Sequence, residues 1–241
     1  MTEQSIATVY VDTAIESLRR HDLMCCPDPN MPAEMRDPNV PPSGAWLAWQ
    51  PIASTVTDQD IDELESLYCG KLPDLYVEFL KYRHFYELTE CGVCFESHVI
   101  GQWKEELTRL YDVCRQDFPT GSHLIPFGSH ALSDAGPVCF DFQQRHTDGD
   151  CSIVIWDHEP LNTDQEIIPL FSSSAKMFES MTFSAKSEID FLGGDPVEDS
   201  EEELIQKGQL LSQFLAIDPN GAGGPAREIW TCWGVTPQAT K

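Results

Sequence analysis

The chain has 241 residues, of which 41% are hydrophobic and 10% aromatic, enough to bury a core and too many for a disordered polymer. Fifteen Lys and Arg face forty Asp and Glu, a formal net charge of −25, which repels nucleic acid and anionic membrane and attracts basic partners. No run approaches the roughly 18 apolar residues of a membrane span, and the start is no secretory signal, because it lacks a basic beginning and is interrupted by Asp12 and Glu16. The charge also has a plainer reading as a device for solubility or for a salt-rich habitat.

Residues 3–20 read as an amphipathic helix, with Ile6, Val9, Tyr10, Thr13 and Leu18 along one stripe. Seven prolines between 27 and 51 predict an extended, irregular segment running over the surface as a linker. The compact part is expected to begin near Trp49. Thr57 and Asp60 form a capping-box-like pair, and Ile61, Leu64, Leu67 and Tyr68 follow with the spacing of one buried face. Gly70 supplies the stop and Pro73 opens the next helix, which carries Leu75, Tyr76, Phe79 and Leu80. A third helix is predicted over about 102–117, with Trp103, Leu107, Leu110 and Cys114 on its face.

Strands follow. The apolar run ending Pro126-Phe127-Gly128 leads into 137–143, where Val138, Phe140 and Phe142 alternate with Cys139, Asp141 and Gln143, the period of a half-buried strand. Asp148-Gly149 suits a hairpin connection. Residues 151–156 are apolar on both faces and read as a central strand, and 166–171 as another with Pro169 marking an edge or strand end. A short helix with Met177, Phe178 and Met181 comes next. Residues 187–203 then hold eight acids and no Lys or Arg. Ser200 and Glu203 form a second capping box before a helix carrying Leu204, Leu211, Phe214 and Leu215. Residues 218–226 read as a flexible loop, and the ordered reading ends at the aromatic stretch 229–233.

Three regions result: a helix and Pro-rich linker over 1–48, a compact domain over 49–183, and an acidic extension over 184–241. The nine cysteines (25, 26, 69, 91, 94, 114, 139, 151 and 232) are odd in number, and several fall inside predicted strands or helices. They point to a reducing cytoplasm without a disulfide framework.

The order of motifs is recognisable. A helix with Ile61 and Glu65 precedes Leu72-Pro73-Asp74-Leu75-Tyr76, followed by Ile125-Pro126-Phe127-Gly128, a Cys139-Phe140-Asp141 strand, a strand ending Trp156-Asp157, and a helix with Phe178-Glu179-Ser180-Met181. Over about 50–183 this resembles the SUKH superfamily, which includes Smi/Knr-type fungal cell-wall regulators and many bacterial toxin-immunity proteins. The resemblance implies an α+β fold with a central, mostly antiparallel sheet flanked by helices, here with an N-terminal helix and an acidic C-terminal extension added. It also implies a scaffold that binds proteins and carries out no catalysis. The chain departs from the family pattern at Gly136-Pro137 and at His84-Phe85-Tyr86-Glu87.

Motifs that suggest chemistry have plainer readings. Cys91-Gly92-Val93-Cys94 is a lone CxxC, short of the four ligands a zinc site needs, and reads as two cysteines near a strand start. Asp157-His158-Glu159 reads as the polar end of a strand. Seven histidines show no HExxH spacing, and Gly128-Ser129-His130 is no nucleophile elbow. No catalytic, cofactor or metal residue is therefore expected.

The acidic run offers partner-binding candidates in Asp195, Glu198, Asp199, Glu201, Glu202 and Glu203. It is either a solvated linker and helix start or a recognition strip that mimics the phosphate pattern a nuclease expects. Trp230 and Trp233 are either interface anchors or core covers. The expected function is an immunity protein that neutralises a basic toxin in the cytoplasm through an acidic face. The alternative is a Smi/Knr-type regulator or scaffold for endogenous protein partners. Nucleic acid and membrane are not expected partners.

Overall fold

The computed structural model describes residues 4–130, 136–157, 167–187, 201–227 and 230. Helix α1 (Ile6–Arg20) starts at Ser5, whose hydroxyl accepts from the Thr8 amide. Its buried face presents Ala7, Tyr10, Val11, Ala14 and Ile15. Short strands β1 (Cys25–Cys26) and β2 (Leu47–Ala48) pair antiparallel, and β3 (Ile52–Ala53) leads into helix α2 (Asp58–Tyr68). Thr57 caps α2 with a full capping box: its side chain accepts from the Asp60 amide and the Asp60 carboxylate accepts from the Thr57 amide. The α2 stop expected at Gly70 falls at Cys69, which takes the left-handed conformation at φ 53°. Gly70 is small for another reason: a Cβ there would sit 2.7 Å from the Phe142 ring.

Helix α3 (Asp74–Tyr82) follows Pro73 and runs into β4 (Arg83–His84), which pairs with β3. Then come β5 (Thr89–Glu90), β6 (Val93–Phe95), helix α4 (Trp103–Cys114), β7 (Leu124–His130), β8 (Pro137–Arg145), β9 (Cys151–Trp156), β10 (Ile167–Phe171), α5 (Ser174–Ser187) and α6 (Glu201–Ile217). Strands β5 to β10 form one sheet in the order β10-β9-β8-β7-β6-β5, every pair antiparallel. The chain meanders, so each strand lies beside its sequence neighbour. β9 sits inside the sheet, as its two apolar faces require, and β10 with Pro169 forms an edge. The fold is α+β, with its N-terminal helix packed on the sheet's helical layer.

One face of the sheet carries the main core. Phe79 lies at its centre, with ring centroids 4.6 Å from Phe95, 5.5 Å from Phe178 and 5.7 Å from Tyr76. Tyr10 of α1 reaches the same cluster, 5.7 Å from Phe178. Val138, Phe140 and Phe142 of β8 point here. The opposite face is covered too: Cys114, Leu124, Cys139, Val154 and Trp156 form a smaller cluster, with Phe118 edge-on to Trp156 at 5.0 Å. That second layer, where α4 lies along β7, buries Cys139 and Asp141, so β8 is buried on both sides over its first half instead of half-buried.

Both flanks of the matched motifs join this core. The Pro-rich stretch folds back on itself: the Trp49 amide donates to Met24 O, the Asp37 amide to Ala48 O and the Gln50 amide to Met35 O. Met31, Met35 and Trp49 are buried there. The prolines prevent a long ladder, but single backbone bonds around a buried tryptophan hold the segment without one.

Residues 218–226, read from sequence as a flexible loop, fold tightly around Asp218. This fully buried carboxylate accepts from the Ser172 amide at 2.7 Å, the Ser172 hydroxyl, the Gly221 amide at 2.9 Å and the Ala222 amide at 3.4 Å. A Cβ at Gly221 would meet Asp218 Oδ2 at 2.2 Å, so glycine is required by close approach.

Candidate partner-binding surface

The inner face of α1 is apolar and its outer edge is charged. Along that edge lie three contiguous depressions. One of about 400 Å³ is bordered by Gln4, Asp12 and Glu16, and a second of about 480 Å³ shares Asp12 and Glu16 and adds Arg83. A third of about 500 Å³ shares Arg19 and Gln50 with the second and ends against Val40, Trp46 and Trp49. Together they make one groove whose wall is α1 and whose far end is built by the Pro-rich segment.

Tertiary bonds set its walls. The Asp12 carboxylate accepts from the Tyr82 hydroxyl at 2.6 Å and from Arg83 Nε at 3.1 Å, tying α1 to α3 and β4. Burial and that bond to Asp12 both raise the Tyr82 pKa. Tyr86 donates its hydroxyl to Asp28 at 2.7 Å, which fixes the Pro-rich segment at its other side. Asp28 and Asp37 each close a local turn by accepting from the amide two residues on, at Asn30 and Asn39.

The far end differs in character. Trp46 is 51% exposed, Val40 49% and Leu23 60%. Of the five large, exposed apolar side chains among the described residues, these three belong to the one stretch 23–46. Trp46 stands on a turn in which its amide and the Ser43 amide each bond the other's carbonyl. Asp22 and Asp37 border the same depression without an ion-pair partner among the described residues, while Arg19, its one cation, is held by Glu16 at 2.9 Å.

Among the described residues, ion pairs hold Arg19, Lys71, Lys81, Arg83, Lys104, Arg109, Arg115 and Lys176. Lys81 and Lys104 cross to the exposed acids of α2, Asp58, Asp60 and Glu63. These exposed pairs add little stability. Their effect is to neutralise the scarce cations locally, so that the acidic excess is left for the surface field.

The acidic strip singled out from sequence lies mostly outside the described residues: Asp195, Glu198 and Asp199 do, as does Trp233. Glu201, Glu202 and Glu203 form the first turn of α6. Trp230 is fully buried. Its indole N–H donates to Leu170 O at 3.1 Å, and its ring lies 4.5 Å from Phe214 and 5.3 Å from Phe171. It has no surface to offer a partner in this conformation and covers the sheet edge instead. Trp46, which the sequence reading passed over, is the exposed tryptophan among the described residues. Its one available signal was its place in a proline-dense stretch with no periodic apolar pattern to bury it.

The CxxC forms a hairpin corner. Cys91 and Gly92, at φ 52° and 74°, are the central residues of the two-residue turn between β5 and β6. Burial raises the pKa of both Cys91 and Cys94, the opposite of an activated thiol. Among the described residues no group of three or more His, Cys, Asp and Glu is arranged to hold a metal ion. Asp157 follows β9, and His158 and Glu159 lie outside the described residues.

One polar cluster is buried where the N-terminal segment meets the core. His84 Nε2 accepts from the Thr55 amide at 3.0 Å, which places its proton on Nδ1, donating to His98 O at 2.9 Å. His98 Nδ1 donates to Arg83 O at 3.0 Å, and its Nε2 is buried without a partner. The rings stack at 4.7 Å. Burial lowers the pKa of both, that of His98 to about 3, with His84 beside it as the next cause. Both are structural, neutral rings.

An antiparallel sheet of six strands with helices packed on it, and a groove along α1, describe an α+β body. Residues 55–180, more than half of the chain, match the SMI1 / KNR4 family (SUKH-1), and the chain belongs to that family. The family covers both immunity proteins and Smi/Knr-type proteins and points to protein partners. No curated protein matches the chain. The matched stretch runs from just before α2 into α5, so α1, the groove segment 21–50 and the C-terminal clip lie outside it. Among the described residues no helix is long and apolar enough to cross a membrane.

Proposed function

We propose that this protein is an immunity protein that binds a basic toxin inside the producing cell and blocks its active site or the approach of its substrate. The observation that carries the reading is the charge of −25 on a member of a protein-binding family. A field of that sign steers a cationic domain, such as a nuclease, toward the surface, and steering lifts association rates to about 10⁸–10⁹ M⁻¹s⁻¹ at low salt. A buried aromatic anchor then sets the dissociation rate. No bond-making step is assigned to the protein.

The test is co-expression with the toxins encoded beside its gene. Rescue of growth by the intact protein supports the reading. Failure to rescue from any of them, together with recovery of a stable set of housekeeping partners by affinity purification, supports a Smi/Knr-type regulator in its place.

A further inference from the structure

We propose that the Trp46 end of the groove along α1 docks a basic segment of the partner protein, its Arg or Lys answered by Asp22 and Asp37 and a neighbouring apolar side chain resting on Trp46 and Val40. The inference rests on the reading of a basic partner given above, and it names where and how that partner is gripped. Three observations meet at this place. The depression of about 500 Å³ holds a half-exposed tryptophan and a half-exposed valine, with Leu23 beside it in sequence. Exposed apolar side chains gathered in one patch mark contact sites, and tryptophan is the residue most enriched at their energetic centres. The acids of the depression have no ion-pair partner among the described residues, whereas its one cation is already held by Glu16.

The surrounding groove explains why a chain segment fits better than a single side chain. From Trp46 it continues past Arg19 and Gln50 to the Asp12–Arg83 pair, and on to Gln4. Beyond the Trp46 end the lining is charge-balanced, Asp12 and Glu16 standing beside Arg19, Arg20, Arg83 and Lys186. The basic contact is therefore confined to the Trp46 end, and the groove along α1 adds room for the rest of the segment without net attraction. A cation laid over the indole face adds attraction from the ring quadrupole. A second copy of this chain is the occupant the charge argues against, because two bodies of −25 each repel. The groove end is built wholly from residues outside the family match, so it is an addition to the common body and a place where partner choice can reside.

The probe is an acetylated Leu-Arg-Leu-Arg-Leu peptide, with Leu-Glu-Leu-Glu-Leu as its control, added to the full ¹⁵N-labelled chain. The Trp46 indole cross-peak, identified by its loss in Trp46→Phe, is followed. It is expected to move with the arginine peptide at low salt, to move little at high salt, and to stay still with the glutamate peptide. Asp22→Asn with Asp37→Asn is expected to weaken the arginine-peptide affinity about tenfold, and Trp46→Ala to weaken it about 30-fold. Amide shifts should be confined to the neighbourhood of the three positions, the turn that Asp37 closes at Asn39 included, since an Asn side-chain oxygen can still accept there. A still peak at millimolar arginine peptide overturns the proposal. So does a shift retained in the double Asn variant, or a shift produced by raising protein concentration alone, which would assign the patch to self-association. The two readings fail separately. Toxin rescue undiminished in Trp46→Ala removes the groove and leaves immunity standing. A peptide shift without rescue from any toxin leaves the groove and removes immunity.

Discussion

The two flanks outside the family match attach to the same core in different ways. The N-terminal flank buries one face of α1 and a tryptophan, Trp49, and leaves a second tryptophan, Trp46, in solvent above an open groove. The described C-terminal flank closes over the sheet edge. Phe214, Ala222, Ala226 and Trp230 are buried, and Asp218 gathers the turn and the end of β10 on one carboxylate. One flank presents a surface and the other covers one. Residue type alone does not separate these roles, since tryptophan serves both.

The contrast is sharpest in alanine substitutions. Trp230→Ala should cost about 3–5 kcal/mol in urea unfolding, from lost packing, the cavity and the unpaired Leu170 carbonyl. Trp46→Ala should cost within about 0.5 kcal/mol. Equal losses would erase the distinction between covering and presenting. Asp218→Ala should cost about 2–4 kcal/mol, because the Ser172 amide and hydroxyl lose their acceptor and the Gly221 amide keeps only its longer bond, to the residue-218 carbonyl at 3.3 Å. A loss below 1 kcal/mol would show that water replaces the carboxylate and that the clip is not the attachment.

The N-terminal attachment should also be the acid-sensitive one. His84 and His98 join β4 to the loop before α4, and β4 in turn holds β3. Their folded pKa values lie below the unfolded value of about 6.5. Unfolding therefore takes up protons below that pH. The stabilisation is complete above about pH 6.5 and is lost as the pH falls from there toward about 3. Between pH 6.5 and 5 His98 should contribute a loss of about 2 kcal/mol. His130 of β7, whose pKa burial lowers to about 4, adds to the loss, and Glu96, whose pKa burial raises, offsets part of it. Unfolding free energies that stay level over that interval would contradict the neutral, buried assignment.

A small stability effect is also expected at the start of α6. Replacing Glu201, Glu202 and Glu203 by Lys should change stability by less than about 1 kcal/mol, the scale of charge at a helix N-terminus. It should slow association with a basic partner and flatten its salt dependence. Unaltered association kinetics would make that turn a helix start and nothing more, and would concentrate recognition at the N-terminal groove.

Much of the architecture was legible in the residues. Thr57 and Asp60 form the capping box that local spacing announced, and Val138, Phe140 and Phe142 face the main core as their alternation required. β9 is interior because CSIVIW is apolar on both faces. The misreadings share a cause. Cys69 took the left-handed cap position because Gly70 was needed small beneath Phe142, a ring 72 positions away in sequence. The glycine-rich turn at 218–226 carries the composition of a flexible linker, yet its glycines serve close packing around a buried acid.

By itself the sequence determined the helices, the strands from residue 124 onward and the sign of the net charge, because propensity, periodicity and charge are properties of neighbours along the chain. The short strands β1 to β6 carry too few residues to show a period. Only the tertiary structure decided which tryptophan is buried, what a glycine-rich turn wraps around, and where a groove remains open. Those outcomes depend on contacts between residues tens of positions apart, such as Asp218 with Ser172 or Asp12 with Tyr82, which no local pattern encodes.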